Sequence, residues 1–248
     1  MIVRNEQMKT FRNASAGAFE QQMVEHLTNF ARVHAESIGE KMLQQLVHLG
    51  VERAELHGWT QKGPVEFYLE LMVMFGADFD TDPQYPWISE ILDNKKDQMF
   101  RADWLHSEAM KYYKAVFGPA LEYEIQAIRR QLEAWDNLAS RLAKSNGAEM
   151  VQVLQWAYPE KAAFLGAETL QKLVQCGGDL SARHGVSEPI GIALLTGLLF
   201  TFGHGCCTDP QYSWIAAAIK PPHEKRVEHL KASFKKYLEQ ALIQLQRS

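Results

Sequence analysis

The sequence predicts an all-α fold: an internally duplicated helical bundle whose two pseudo-equivalent halves are joined by a long helix. Three observations predict it. The segment from Phe75 to Ile88 (FGADFDTDPQYPWI) recurs from Phe202 to Ile215 (FGHGCCTDPQYSWI) at a constant offset, since 209 − 82 = 127. Between residues 23–92 and 150–219, 22 of 70 positions aligned without a gap are identical, so both copies need equal element lengths. Apolar residues recur at three- and four-residue steps, and no stretch alternates as a half-buried strand does.

Each element follows from local chemistry. Residues 1–14 are polar with little periodicity and read as a flexible N-terminus. Helical repeat 1 spans 15–117. It opens with the period Phe19, Met23, Leu27, Phe30, Ala31 and His34, continues with Ile38, Met42, Leu46, Val47 and Val51, and pauses at His57-Gly58. Pro64 starts the helix that leads into the repeated corner. Asp82-Pro83 then reads as an N-cap with proline at N1, ahead of Tyr85, Trp87, Ile88, Ile91 and Leu92. A further helix carries Phe100, Trp104, Met110, Tyr113 and Val116 as its apolar positions.

Residues 118–149 read as the connecting helix. Leu121, Ile125, Ile128, Leu132, Trp135, Ala139 and Leu142 form a heptad-like seam. The seam fits two uses, packing along both halves or forming a homodimer through the 121–142 helix. Helical repeat 2, over 150–248, repeats the first half and ends in a helix from Pro222 through Ala241, after a short deletion.

Composition narrows the function classes. A net charge of −4 and a pI near 6.1 give no basic field for nucleic acid or anionic lipid. The uncharged run Ile190–Phe202 is shorter than the ~18–20 residues a bilayer requires, so no membrane insertion is expected. Three cysteines make no disulfide framework, and the polar N-terminus carries no signal-peptide pattern; both suit a cytoplasmic protein.

No motif names a reaction. Asp78, Asp80 and Asp82 alternate as calcium ligands do, but Pro83 stands where the loop needs glycine and Ser89 where it needs glutamate. Adjacent Cys206 and Cys207 lack the spacing that points two thiolates at one zinc. No metal and no cofactor are expected. Residues shared by both corners, Asp82, Pro83, Tyr85 and Trp87 with Asp209, Pro210, Tyr212 and Trp214, read as structural, the tryptophans as core anchors. The pairs His57–Asp82 and His184–Asp209 read as helix ends and caps. A single binding event should use residues where the copies differ. That points to Asp78, Phe79 and Asp80, an acidic loop with an exposed aromatic, suited to docking a basic protein surface.

The repeated phrase, an apolar helix, then Phe-Gly, then Asp-Pro-Gln-Tyr-(Pro/Ser)-Trp, resembles that of an uncharacterised group of α-helical bacterial proteins associated with type VI secretion and polymorphic-toxin loci. The likeness covers 71–88 and 198–215. It implies a role beside a secreted effector, as an immunity protein, adaptor or chaperone, with a basic toxin or effector as the partner. The expected function is thus a non-enzymatic protein-binding module. The alternative is an enzyme or small-molecule or metal binder with one site at the second corner, built from His184, His204, Cys206 and Asp209.

Overall fold

The computed structural model describes residues 17–135, 137 and 147–246. Among them the secondary structure is helical throughout, with no strand. The helices are α1 (17–30), α2 (Arg32–Ile38), α3 (Glu40–Leu56), α4 (Lys62–Phe75), α5 (Pro86–Leu92), α6 (Gln98–Val116) and α7 (Glu122–Glu133). After the connection come α8 (Gly147–Ala157), α9 (Pro159–Arg183), α10 (Pro189–Phe202), α11 (Ser213–Ile219) and α12 (His223–Leu245). The expected flexible N-terminus, 1–14, lies outside the described residues.

The 127-residue offset recurs in the element bounds. Lys62–Phe75 maps onto Pro189–Phe202, and Pro86–Leu92 onto Ser213–Ile219. Gly39, which separates α2 from α3 at φ 80°, maps onto Gly166, a non-helical residue at φ 76° within α9. After the two-residue deletion the offset becomes 125 and Arg101 aligns with Arg226; each donates to a backbone carbonyl, though of unmatched residues, Leu92 and His184. Gly50 and Gly177 let the paired helices approach, since a Cβ there would meet Leu69 in one half and its counterpart Thr196 in the other.

Two apolar cores form, and they do not divide at the boundary between repeats. The first joins Met23, Leu46, Leu69 and Ile88 to Met150, Leu154, Leu170 and Phe200 from the second half. The second joins Leu195, Leu199, Ile215 and Leu230 to Ile128 and Trp135 of the connection. At ~1.5–3 kcal/mol per buried large aliphatic or aromatic side chain, this interleaving couples the halves strongly.

Three expectations need correction. The connecting helix is not continuous over 118–149. Gly118 leads into a short 3-10 turn (Pro119–Leu121), α7 ends at Glu133, and Ala139 and Leu142 lie outside the described residues. Within the described part the seam turns inward: Trp135 stacks edge-on against Phe234 of α12 at 5.7 Å, and Ile128 is buried beside it. Ile128, Leu132 and Trp135 of the seam therefore pack into the chain's own second core, which takes them away from a homodimer contact. Finally, α6 buries Ala102, Leu105, Ala109, Tyr112 and Val116, whereas Phe100 and Trp104 are 49% and 39% exposed. Small alanines lie against the core there and leave the bulky rings outside.

Candidate functional site

The repeated corner locks the halves together. Asp82 Oδ1 accepts from the Gln84 backbone N–H (2.8 Å), and its Oδ2 from the N–H of His204 in the other copy (2.7 Å). Asp209 repeats this with Gln211 (2.9 Å) and Ala77 (2.7 Å), and 77 + 127 = 204. Gln84 Nε2 donates to the Leu199 carbonyl (3.0 Å), and Gln211 Nε2 to the Met72 carbonyl (2.9 Å). Each copy thus caps the turn that ends the other copy's helix. Gly76 (φ 97°) and Gly203 (φ 93°) meet here, and a Cβ on Gly76 would lie 2.5 Å from the Phe202 carbonyl oxygen.

This geometry alters the expected roles of the motif residues. Helix α5 starts at Pro86, three residues after the expected proline, because Asp82 is engaged across the corner. In the second copy Asp209 caps a 3-10 turn, Pro210–Tyr212, and α11 follows. Pro83 is half-buried, Tyr85 and Tyr212 are buried, and Trp87 and Trp214 are half-buried against the cores. Both indole N–H groups are buried with no partner among the described residues, so the tryptophans are less complete as anchors than expected.

The acidic loop is not a free surface. Phe79 is 1% exposed and packs on Tyr68 at 4.8 Å. Asp80 is 5% exposed; Arg53 bonds it, with Nε at 3.1 Å, while His57 Nε2 lies 3.1 Å away and Tyr68 Oη donates at 2.8 Å. Asp78 is held by Arg53 as well. Burial alone would raise the Asp80 carboxyl, but bonds from His57, Arg53 and Tyr68 outweigh it and hold it at about 2. At the matched positions of the second half, Arg53, Tyr68, Asp78 and Asp80 become Leu180, Leu195, Gly205 and Cys207. The copies differ here because one fills the space with a buried ion-pair network and the other with apolar groups. His57 pairs with Asp80 and not with Asp82.

Among the described residues, no hydrogen bond or ion pair links His184, His204, Cys206 and Asp209 to one another, although Cys206 lies near enough to feel the Asp209 charge. His204 sits at the corner, with Nδ1 3.4 Å from Asp82 Oδ2. Burial opposes its charge, yet Asp82 and Asp78 raise its imidazole. Cys206 is fully buried, and its bond to Cys207 together with burial raises its thiol, the wrong direction for a nucleophile. His184 lies at the end of α9, where burial, Arg183 and Arg226 lower its imidazole, and none of its contacts joins it to His204 or Cys206. Among the described residues, no group of three or more His, Cys, Asp or Glu side chains converges as a metal site would.

Between the halves lies a partly open cavity of about 350 Å³. The first half lines it with His34, Val73, Met74, Tyr112, Tyr113, Val116 and Phe117, and the connection with Leu121 and Glu124. The second half adds Tyr158, Lys161, Thr201, Phe202, Tyr212 and Tyr237. Lys161 is 4% exposed; its ammonium reaches one hydrogen-bond partner, the Thr201 carbonyl, at 3.5 Å, and lies 5.2 Å from the Phe200 ring and 5.7 Å from the Tyr85 ring. Burial lowers its amine to about 8, although Asp82 and Glu124 favour the charge. Burial likewise raises the Glu124 carboxyl to about 7 against the pull of Lys161. Leu121 is held in the left-handed region (φ 61°) where α7 begins, an uncommon conformation for a branched residue.

No family model matches this chain, and neither does any curated protein or solved structure. Among the described residues no helix is long and apolar enough to cross a membrane.

Matched pairs that line the cavity differ between the halves: Met74 stands against Thr201, and His34 against Lys161 (34 + 127 = 161), the pair that differs in charge. His34 Nε2 lies 3.0 Å from Gln211 Oε1, and burial keeps the imidazole low and neutral, so the ring donates. Lys161 makes no matching bond to Gln84, whose Oε1 is buried without a partner. A wider groove of about 500 Å³ between α1 and α3 is more open and has no buried polar side chain. Lys161 and Glu124 are the candidate residues that motif spacing passes over. The available signal was a lysine at an apolar helical phase, where the other copy has His34.

Proposed function

We propose that this protein binds a small molecule in the cavity between its two halves, with Lys161 as the principal recognition group. The observation that carries the reading is Lys161 itself: an amine buried among aromatic rings, lining a partly open cavity and holding one long hydrogen bond. Removing an ammonium from water is costly unless a partner compensates, so retention of this lysine makes physical sense if a ligand supplies the compensation. Cavities of roughly this size hold small ligands, with apolar walls and a few placed polar groups. The test is native mass spectrometry of the protein purified from its own host, wild type beside Lys161→Met. The wild type should retain a small molecule that the variant lacks. Equal loading of both, or a bare wild type, would refute the reading.

A second reading, a non-enzymatic protein-binding role as an effector-associated immunity, adaptor or chaperone protein, is favoured by the exposed Phe100–Trp104 pair. Their rings stand edge-on at 6.3 Å beside half-exposed Met99. Large aromatic residues of this kind anchor protein interfaces. The basic-partner argument loses its support, because Asp78 and Asp80 are occupied by Arg53. Pull-down from the host with wild type and the double variant Phe100→Ser/Trp104→Ser tests it. A partner captured equally by both would remove this face from the interface.

A further inference from the structure

We propose that the cavity ligand is a zwitterion, carrying a carboxylate that meets Lys161 and an ammonium that meets Glu124 and the tyrosine rings. The inference rests on the cavity-binding reading above and names its ligand class.

The two charged side chains line the same partly open cavity from different elements, Lys161 on α9 and Glu124 on α7. They feel each other's charge, yet no nitrogen–oxygen pair between them comes within 4.0 Å, so they do not neutralise one another directly. Lys161 keeps only the 3.5 Å contact to the Thr201 carbonyl, and Glu124 makes no hydrogen bond among the described residues. The gap leaves two groups of opposite sign without an ion pair between them, although Asp82 as well as Glu124 favours the Lys161 charge. A ligand with one charge would satisfy one and strand the other; a dicarboxylate would oppose Glu124, and a diamine would oppose Lys161. A zwitterion satisfies both at once.

The walls agree with the cationic end. Tyr112, Tyr212 and Tyr237 line the cavity with ring surface, and the Tyr212 and Tyr237 hydroxyls make no hydrogen bond among the described residues. Aromatic faces attract ammonium groups, most strongly when both are shielded from water. His34, neutral and already donating to Gln211, adds no competing charge. Burial shifts both amine and carboxyl toward their neutral forms, against the pull of each on the other and of Asp82 on the amine.

The experiment is titration calorimetry at pH 7 on the full-length protein, freed of retained ligand by reversible unfolding. The probes are ω-amino carboxylates from glycine to 6-aminohexanoate, glycine betaine, and the singly charged analogues hexanoate and hexylamine. At least one zwitterion should bind tenfold or more tightly than both singly charged probes. In Lys161→Met that zwitterion should fall to the affinity of hexylamine, and in Glu124→Gln to that of hexanoate. Glu124 is only half-buried, so its variant keeps the test open should the Lys161 variant fold poorly. Hexanoate or hexylamine matching the best zwitterion in the wild type would overturn the zwitterion while leaving the cavity reading intact. Binding of no probe would also overturn it, and the native mass spectrum would then decide separately whether the cavity holds any ligand.

Discussion

Replacing Lys161 by methionine should stabilise the ligand-free protein while removing its ligand. Burial lowers the Lys161 amine from 10.5 to about 8. A depression of that size corresponds to about 3 kcal/mol of differential stability. The direction follows from proton uptake. Below pH 8 the ammonium persists in both folded and unfolded states, and the folded state carries the full penalty. Between pH 8 and 10.5 the unfolded chain binds the extra proton, so this penalty fades as pH rises. Methionine has similar length and suits the space beside Phe200 and Tyr85, so little packing is lost. Urea denaturation should therefore show Lys161→Met more stable by about 2–3 kcal/mol at pH 7, with the gain largely gone at pH 10.5. Taking the difference between the two proteins cancels the tyrosines that titrate in alkali. A variant less stable than wild type at pH 7, or a gain equal at both pH values, would refute the view of Lys161 as an uncompensated buried charge.

Other outcomes follow from the corner and its neighbours. Asp82→Ala strands the N–H groups of Gln84 and His204 and should cost about 3 kcal/mol by chemical denaturation; Asp209→Ala should match it, and the double variant should cost less than the sum. Gly76→Ala places a Cβ 2.5 Å from a backbone oxygen at φ 97° and should cost about 3 kcal/mol, more than Gly203→Ala, whose nearest contacts are at 3.0 Å. Arg53→Leu leaves Asp80 buried without its cation and should cost about 3–5 kcal/mol, while the set Arg53→Leu, Tyr68→Leu, Asp78→Gly and Asp80→Cys, which copies the second half, should recover most of it. The wild type should lose about 2 kcal/mol of Asp80-dependent stability as pH falls from 3.8 toward 2, because that carboxyl is depressed to about 2 on folding; a pH series against Asp80→Asn checks this.

The repeat made the helices legible. Equal spacing in the two copies fixes matching bounds for α4 with α10 and for α5 with α11. Identity at Asp82/Asp209 and Gln84/Gln211 shows that one job is done twice, but not that each copy does it for the other. That depends on the halves meeting at Gly76 and Gly203, and no local pattern carries it. The loop at Asp78 and Asp80 was misread because charge suggests solvent. The correcting signal lay in the same alignment: Arg53 and Tyr68 disappear together with both aspartates, as groups in mutual contact would. Phe100 and Trp104 stand exposed despite their size because helical phase puts Ala102, Leu105 and Ala109 on the buried face. The cavity is a product of docking between halves, and only the lysine opposite His34 marked it in the chain.

A crystal structure of the protein purified from its own host tests the central claim most directly. The account predicts discrete density for a small molecule in the cavity, with an acceptor within hydrogen-bond distance of Lys161 Nζ. A cavity filled by ordered water alone would contradict it.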